Sequence, residues 1–423
     1  MQSMQLTLLA SKQKDVFLPY VDNYVNSISA TLRPISLKIH DNPELNFREY
    51  IAHEVITTFL ESQKGWEVTR SAYGLETAFV AVFDSGTPGP VISYNAEYDA
   101  LAGIGHACGH NLIAIVSIGA ALAAAAALTH FSLPGKVLIF GTPGEEGGGG
   151  KIMLLERGAY TDHKVDISLI SHPGPAGDSV LSKTTAYTGF IAEYTGKAAH
   201  AAAAPWEGIN ALDALLLAYN GMSMLRQQTM PGDILQGYIT NGGVAPNIIH
   251  AYAAGEFVAR AATKTRRDIL KAQLQNCFHA GASATGATLH FTQLESYDDM
   301  VPNLVLGAIC RTAFNKLGGA IPAANEELAR GGTKVSTDQG NVSYAMPSIS
   351  LGFGIVSEEG NHNPKFAEAA RTRDAHARAM RAAKALAVTG CIVLADDEVL
   401  GEARKEWKEA VGRKGDHEEL GSI

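Results

Sequence analysis

Dense apolar runs of β type alternate along the chain with stretches of helical spacing. The β runs fall at residues 77–83, 90–94, 136–142 and 165–171. Residues 14–65 read as helical, interrupted at Pro43-Glu44, with apolar positions at helical spacing over 51–59. The Ala- and Gly-rich stretch 113–128 reads as a buried core helix, being short for a membrane span. This alternation predicts an α/β fold, a doubly wound catalytic domain on a mostly parallel sheet. From about residue 183 the texture changes to strand (190–194), helix (210–225), strands (234–240 and 253–261), helix (265–281) and strand (288–295). That βαββαβ order predicts a ferredoxin-like α+β domain inserted at 183–297 into a domain made of 1–182 and 298–423. The α/β pattern then resumes with a strand at 348–355, a loop at 360–362, one long helix over 366–394 and a charged surface helix from Asp397.

Composition narrows the class. The 423 residues are 46% hydrophobic and 18% charged, which fits a globular chain able to bury a large core. Lys and Arg number 34 against 43 Asp and Glu, a formal charge of -9, so nothing favours a nucleic-acid backbone as partner. The four cysteines are scattered, which suits a reducing compartment better than a disulfide framework. No signal peptide is readable in residues 1–20 and no targeting signal in 420–423, so a cytoplasmic protein off the membrane is expected.

Candidate chemistry gathers at the strand ends. Asp99 follows the second β run, Glu145 and Glu146 the third, and His172 the fourth. Cys108 and His110 stand in the glycine-broken loop that precedes the core helix, and His362 follows the strand at 348–355. In open α/β sheets ligands bind at the carboxyl ends of the strands, so these groups converge on one rim. Singly, each has a bland alternative: a tight turn with a buried thiol, a solvated acidic turn, a structural histidine. Together, one thiolate, three imidazoles and a paired carboxylate suit two metal ions sharing a bridge, with Glu145 left to act on a metal-bound water. Thiolate favours zinc, and the mixed donor set also accepts manganese, cobalt or nickel. Dinucleotide and P-loop patterns fail at 103–108 and 147–151, and neither His-Glu-x-x-His nor a Gly-x-Ser-x-Gly elbow is present.

Several motifs together resemble one family. They are His40-Asp41-Asn42-Pro43-Glu44-Leu45, Tyr98-Asp99-Ala100-Leu101, His106-Ala107-Cys108-Gly109-His110-Asn111 and Pro143-Gly144-Glu145-Glu146. Further along stand Gly196-Lys197-Ala198-Ala199-His200-Ala201, Ala245-Pro246-Asn247-Ile248-Ile249, the stretch 336–343 and His362-Asn363-Pro364-Lys365-Phe366. In this order they resemble the M20 metallopeptidases, in particular their amidohydrolase branch. The resemblance implies Cys108, His110, Glu146, His172 and His362 as ligands of two divalent ions, with Glu145 as general base. It implies that His200 reaches substrate, often in a partner's active site, and stabilises the oxyanion. Asn247 and Arg260 resemble substrate-facing lid residues, and the inserted domain is where family members form homodimers. Many bacterial members carry Asp where this chain has Asn111, and Arg-Ala-Asp where it has Asn95-Ala96-Glu97; both variants resemble the dipeptidase-like and aminoacylase-like subgroup. The implied activity is hydrolysis of a small N-acyl amino acid or dipeptide. The alternatives are a specialised biosynthetic amide, cleaved or formed at the same site, and a non-catalytic binding homologue.

Overall fold

The computed structural model describes residues 2–175 and 177–416, of which 2–15 and 413–416 by backbone alone. The tail at 420–423, read above for targeting signals, lies outside the described residues. The strands, in chain order, are β1 (Trp66–Arg70), β2 (Phe79–Asp84), β3 (Val91–Glu97), β4 (Lys136–Thr142), β5 (Ile167–Gly174), β6 (Ala186–Thr195), β7 (Ile234–Asn241), β8 (Tyr252–Ala261), β9 (Thr288–Tyr297) and β10 (Ser348–Gly354). Two compact units result. One comprises Met1–Lys183, Met300–Thr333 and Thr337–Arg413; the other holds Thr184–Asp299 with Lys334–Ser336. The second unit thus takes in a short segment that the expected span 183–297 lacks, because the Thr185 amide donates to the Val335 carbonyl.

In the first unit a six-stranded sheet runs β1-β2-β4-β3-β5-β10. β4, β3, β5 and β10 are parallel, while β1 and β2 add an antiparallel edge. The mostly parallel α/β architecture is as expected; β1 is the strand the sequence pattern did not announce. It is five residues long, three of them charged or polar, and its antiparallel pairing with β2, from Trp66 opposite Phe83 to Arg70 opposite Phe79, makes it a strand. Every residue of β3 is buried, as in a sheet covered on both faces. The chain leaves β3 for β4 on one side and later returns to β5 on the other. The carboxyl end of β3 is therefore a topological switch point, where such sheets open a crevice.

The helix His110–His130 is long and apolar enough to cross a membrane, yet 89% of its most apolar window is buried inside this unit. It packs against the helices Gln2–His40 and Arg373–Ala395. Small residues set that spacing: a Cβ on Gly119 would stand 3.1 Å from Leu32 and 3.4 Å from Ala383. The single helix expected at 366–394 is two, Pro364–Ala370 and Arg373–Ala395. Thr372 breaks it: its hydroxyl caps the second helix by accepting from the Ala375 amide at 3.1 Å.

The second unit has a sheet of order β7-β8-β6-β9, all antiparallel, with the helices Ala211–Leu225 and Lys264–Thr285. This is the βαββαβ ferredoxin-like arrangement. Its core is aromatic: the Phe278 ring lies 4.5 Å from Phe257 and 5.6 Å from Phe190.

Gly390 marks a tight helix-to-sheet approach in the first unit, since a Cβ there would meet the Tyr94 hydroxyl at 2.2 Å. Gly390→Ala is expected to destabilise by about 1–3 kcal/mol through overpacking, read as a lower thermal midpoint. An unchanged midpoint would show that the contact has slack.

Candidate functional site

Four loops bring the chemistry together at the switch point. β3 ends at Glu97, and Asp99 follows. Gly109, at φ 83°, turns the chain into the helix His110–His130, so Cys108 and His110 stand at that helix's start. No side chain fits at Gly109, because Pro173 would lie 2.6 Å from its Cβ. After β4, the Gly149 amide closes a loop onto the Gly144 carbonyl at 3.1 Å, presenting Glu145 and Glu146 between them. His172 lies in β5 itself. His362, at φ 64°, donates its amide to the Ala107 carbonyl at 2.9 Å. The Asn361 side chain donates to the carbonyls of Cys108 (3.3 Å) and Pro173 (3.1 Å), tying its own loop and the thiol loop to β5.

The expected donors meet in two triplets that share a thiol. Cys108, His110 and His172 place one donor atom each within 4.8 Å of one another, and so do Cys108, Glu146 and His362. Cys108 Sγ is 3.3 Å from His172 Nε2, and Glu146 Oε1 is 3.3 Å from His362 Nε2. Two of the three imidazoles are oriented from behind: His110 Nδ1 bonds Asp99 Oδ1 at 2.9 Å, and His172 Nδ1 bonds the Pro173 carbonyl at 2.8 Å. That leaves the Nε2 atoms to face the crevice. His110 Nε2 and Glu146 Oε1 are buried without a hydrogen-bond partner. A divalent cation fits such a set, because it satisfies an orphaned imidazole nitrogen and carboxylate oxygen beside a thiol, the donors that zinc-like ions take.

Electrostatics point the same way. Glu97, Asp99, Glu145 and Asp338 are all buried around the crevice, with Glu146 beside them. Burial, and then the neighbouring Glu97, push the Glu145 carboxyl well above the usual range. Burial also pushes the Cys108 thiol up, although His110 opposes it. Against burial, Asp99 and Cys108 hold His110 well above an ordinary imidazole. Bound cations would invert this balance by favouring thiolate, carboxylate and neutral imidazole.

The second unit carries the other three expected residues and separates them. His200 and Asn247 lie side by side: the Ala201 amide donates to the Asn247 carbonyl at 3.0 Å, and His200 bridges to Ile248. His200 Nδ1 accepts from the amides of Ala202 and Ala203, both at 3.2 Å. In the neutral ring the proton is therefore on Nε2, which makes that atom a donor. Arg260 stands at the other end of the sheet, paired in register with Tyr187, whereas Tyr252 and Thr195 pair at the His200 end. Eight strand residues separate the two ends, roughly 25 Å. Arg260 lies 4.6 Å over the Tyr187 ring and 3.3 Å from Ser336 Oγ, and pairs with no carboxylate among the described residues.

The model of peptidase family M20/M25/M40 matches residues 91–385. The chain belongs to the M20 peptidases. Its relatives include the human Xaa-Arg dipeptidase, 39% identical over 91% of this chain and 90% of that protein. One of the two subunits of the Escherichia coli p-aminobenzoyl-glutamate hydrolase is 31% identical, over 73% of this chain and 67% of its own length. Among solved structures, a Bacillus subtilis dinuclear metal-binding peptidase of the M20 family superposes with a TM-score of 0.65 at 20% identity, covering 87% of this chain and 99% of that one. The last likeness is one of fold. As a member of the family, the chain is an enzyme acting on peptide or amide bonds.

Against other M20 sequences, the departures noted above find partners here. Asn111 donates to Ser36 Oγ at 2.9 Å and to the Ala370 carbonyl at 3.3 Å. Asn95 sits in a buried neutral network, donating to Gln339 (2.7 Å) and Ser168 (3.2 Å) and accepting from Tyr160 (3.1 Å). The residue types alone did not mark Lys151, which lies against the acidic groups of the crevice. It is fully buried, and its Nζ is 2.6 Å from both Glu97 Oε1 and Asp338 Oδ1. The signal was a lysine directly after the glycine run, followed by the acid in 336–343. Glu49 is a second case. It accepts from the amides of Phe47 and Gly144, both at 2.9 Å, and from the Thr77 hydroxyl at 2.6 Å.

Burial pushes the Glu49 carboxyl from 4.5 up to about 7. Between these values the unfolded chain ionises while the folded one stays protonated, so stability falls as pH rises and levels off above the folded pKa. In metal-free protein, Glu49→Gln should therefore flatten the fall in thermal midpoint between about pH 5 and about pH 7.5. Identical slopes in variant and wild type would remove Glu49 as the source.

Proposed function

We propose that the chain is a metal-dependent amidohydrolase that cleaves the amide of a dipeptide or small N-acyl amino acid. The observation that carries this is the pair of donor triplets sharing Cys108, with Glu145 beside them, its Oε2 3.7 Å from His110 Nε2. One ion would be held by Cys108, His110 and His172, the other by Cys108, Glu146 and His362, with zinc or manganese the first candidates and cobalt or nickel acceptable. When bound, such a pair lowers the pKa of water and polarises a scissile carbonyl. Glu145 takes the proton of the attacking water and passes it to the leaving amine. The high proton affinity that burial gives Glu145 suits a group that must hold that proton. The named relatives support the substrate class: a dipeptide and p-aminobenzoyl-glutamate both present an amino acid acylated on nitrogen. A dipeptide ending in a basic residue is the first to try.

The second unit supplies the grip. Arg260, without a carboxylate partner, takes the free carboxylate of the substrate, and His200 donates from Nε2 to the oxyanion. Roughly 25 Å of strand between them means that one copy of the unit does not bring both to one small substrate. We therefore assign His200 and Asn247 to the active site of a second copy in a homodimer. Leu216, Leu217 and Met224, exposed on the helix Ala211–Leu225, and the unpaired edge of β7 are the surfaces for that contact. We place the enzyme in the cytoplasm, where the Cys108 thiol stays reduced.

Glu145→Gln is expected to lower kcat by at least about 100-fold while two ions remain bound; full activity would overturn the mechanism. Arg260→Ala should raise KM by about tenfold or more for substrates with a free carboxylate and little for their amides. Mixing inactive His200→Ala and Glu145→Gln proteins should restore part of the activity, because one hybrid site is intact. No restoration after confirmed subunit exchange would place His200 in its own chain's site.

A further inference from the structure

Glu97 is a buried carboxylate that the proposed mechanism leaves unused. It ends β3 and is 1% exposed. One of its oxygens is committed: Oε1 takes the Lys151 ammonium at 2.6 Å, and Lys151 is itself held by Asp338. The other, Oε2, is buried and makes no hydrogen bond. It faces His110 Nε2 at 3.6 Å, too long for a hydrogen bond. His110 Nε2 is likewise buried and unbonded, and it is the atom that Asp99 leaves for a cation by taking Nδ1. Two donors, each about 2.1 Å from one ion at a tetrahedral angle, stand about 3.4 Å apart. The Glu97–His110 span of 3.6 Å is of that kind, as are the 3.3 Å spans of Cys108–His172 and Glu146–His362. Glu97, His110 and Glu145 also form a third close set of donors.

We infer that Glu97 is a further ligand of the ion held by His110, with Lys151 as the positioning residue that fixes one carboxylate oxygen and leaves the other for the metal. Lys151 also explains how the carboxylate tolerates burial when no ion is present, since its charge is shared with the ammonium. The inference rests on the two-ion reading above.

Zinc affinity measured by chelator competition, together with the visible absorption of the cobalt-loaded protein, tests it in the full chain. Wild type should bind two ions. Glu97→Gln should hold one at wild-type affinity and the other at least about tenfold more weakly, with a changed cobalt spectrum. Glu97→Asp keeps a charge for Lys151 but withdraws the carboxylate, and should show the same selective loss. It decides the matter if the Gln variant does not fold. Two ions at wild-type affinity with an unchanged spectrum in the variants would overturn the ligand assignment while leaving the two-ion site intact. Equal weakening of both ions would overturn it as well. Fewer than two ions in wild type would overturn the two-ion reading and this inference with it.

Discussion

Crowding of acidic side chains in a buried crevice is the constraint on which the rest of this structure depends. Glu97, Asp99, Glu145, Glu146 and Asp338 gather at or near the carboxyl ends of β3 and β4, against the Lys151 ammonium and the His110 ring. Burial pushes the Glu145 and Asp338 carboxyls up, while His110 holds Asp99 down and His362 holds Glu146 down against the same burial. The raised proton affinity of Glu145 and the unbonded oxygens of Glu97 and Glu146 are two faces of that imbalance. Divalent cations, as proposed above, would resolve it and supply the chemistry.

The scaffold holds the crowd by long-range ties. The topological switch beside β3 lets loops from three parallel strands face one crevice, and the apolar helix His110–His130 anchors the thiol loop in the core. Asn361 and the His362 amide join the last loop to the thiol loop and to β5, so Cys108 and His362 are fixed relative to each other. Lys151 does the same below the rim, joining β3 to the segment at 338. Rigid first ligands with firmly bonded supports are what a two-ion site requires, because small displacements of either ion relative to the attacked carbonyl are costly in rate.

Much of this was legible before any coordinates. The alternation of β runs and helical stripes announced the parallel sheet and the inserted βαββαβ unit. The recurrence of Cys108, His110, Glu146, His172 and His362 after strands announced the rim. What stayed hidden depended on partners distant in sequence. Lys151 follows four glycines and reads as loop punctuation until Asp338, 187 residues away, takes its charge. Glu97 looks like one more polar residue at a strand end until Lys151 claims one of its oxygens. β1 is too short and too charged to show a pattern of its own, and the break at Thr372 is a capping event inside an otherwise helical stretch. The motif order placed His200 and Arg260 in the same unit, but the antiparallel register sets them at opposite ends of its sheet.

The most direct measurement is a crystal structure of the zinc-loaded protein with anomalous maps recorded on both sides of the zinc edge. The predicted result is two zinc peaks flanking Cys108 Sγ, one against His110 and His172 and the other against Glu146 and His362. A single peak, or peaks that leave Cys108 outside the coordination sphere, would contradict the shared-thiolate site and the mechanism built on it.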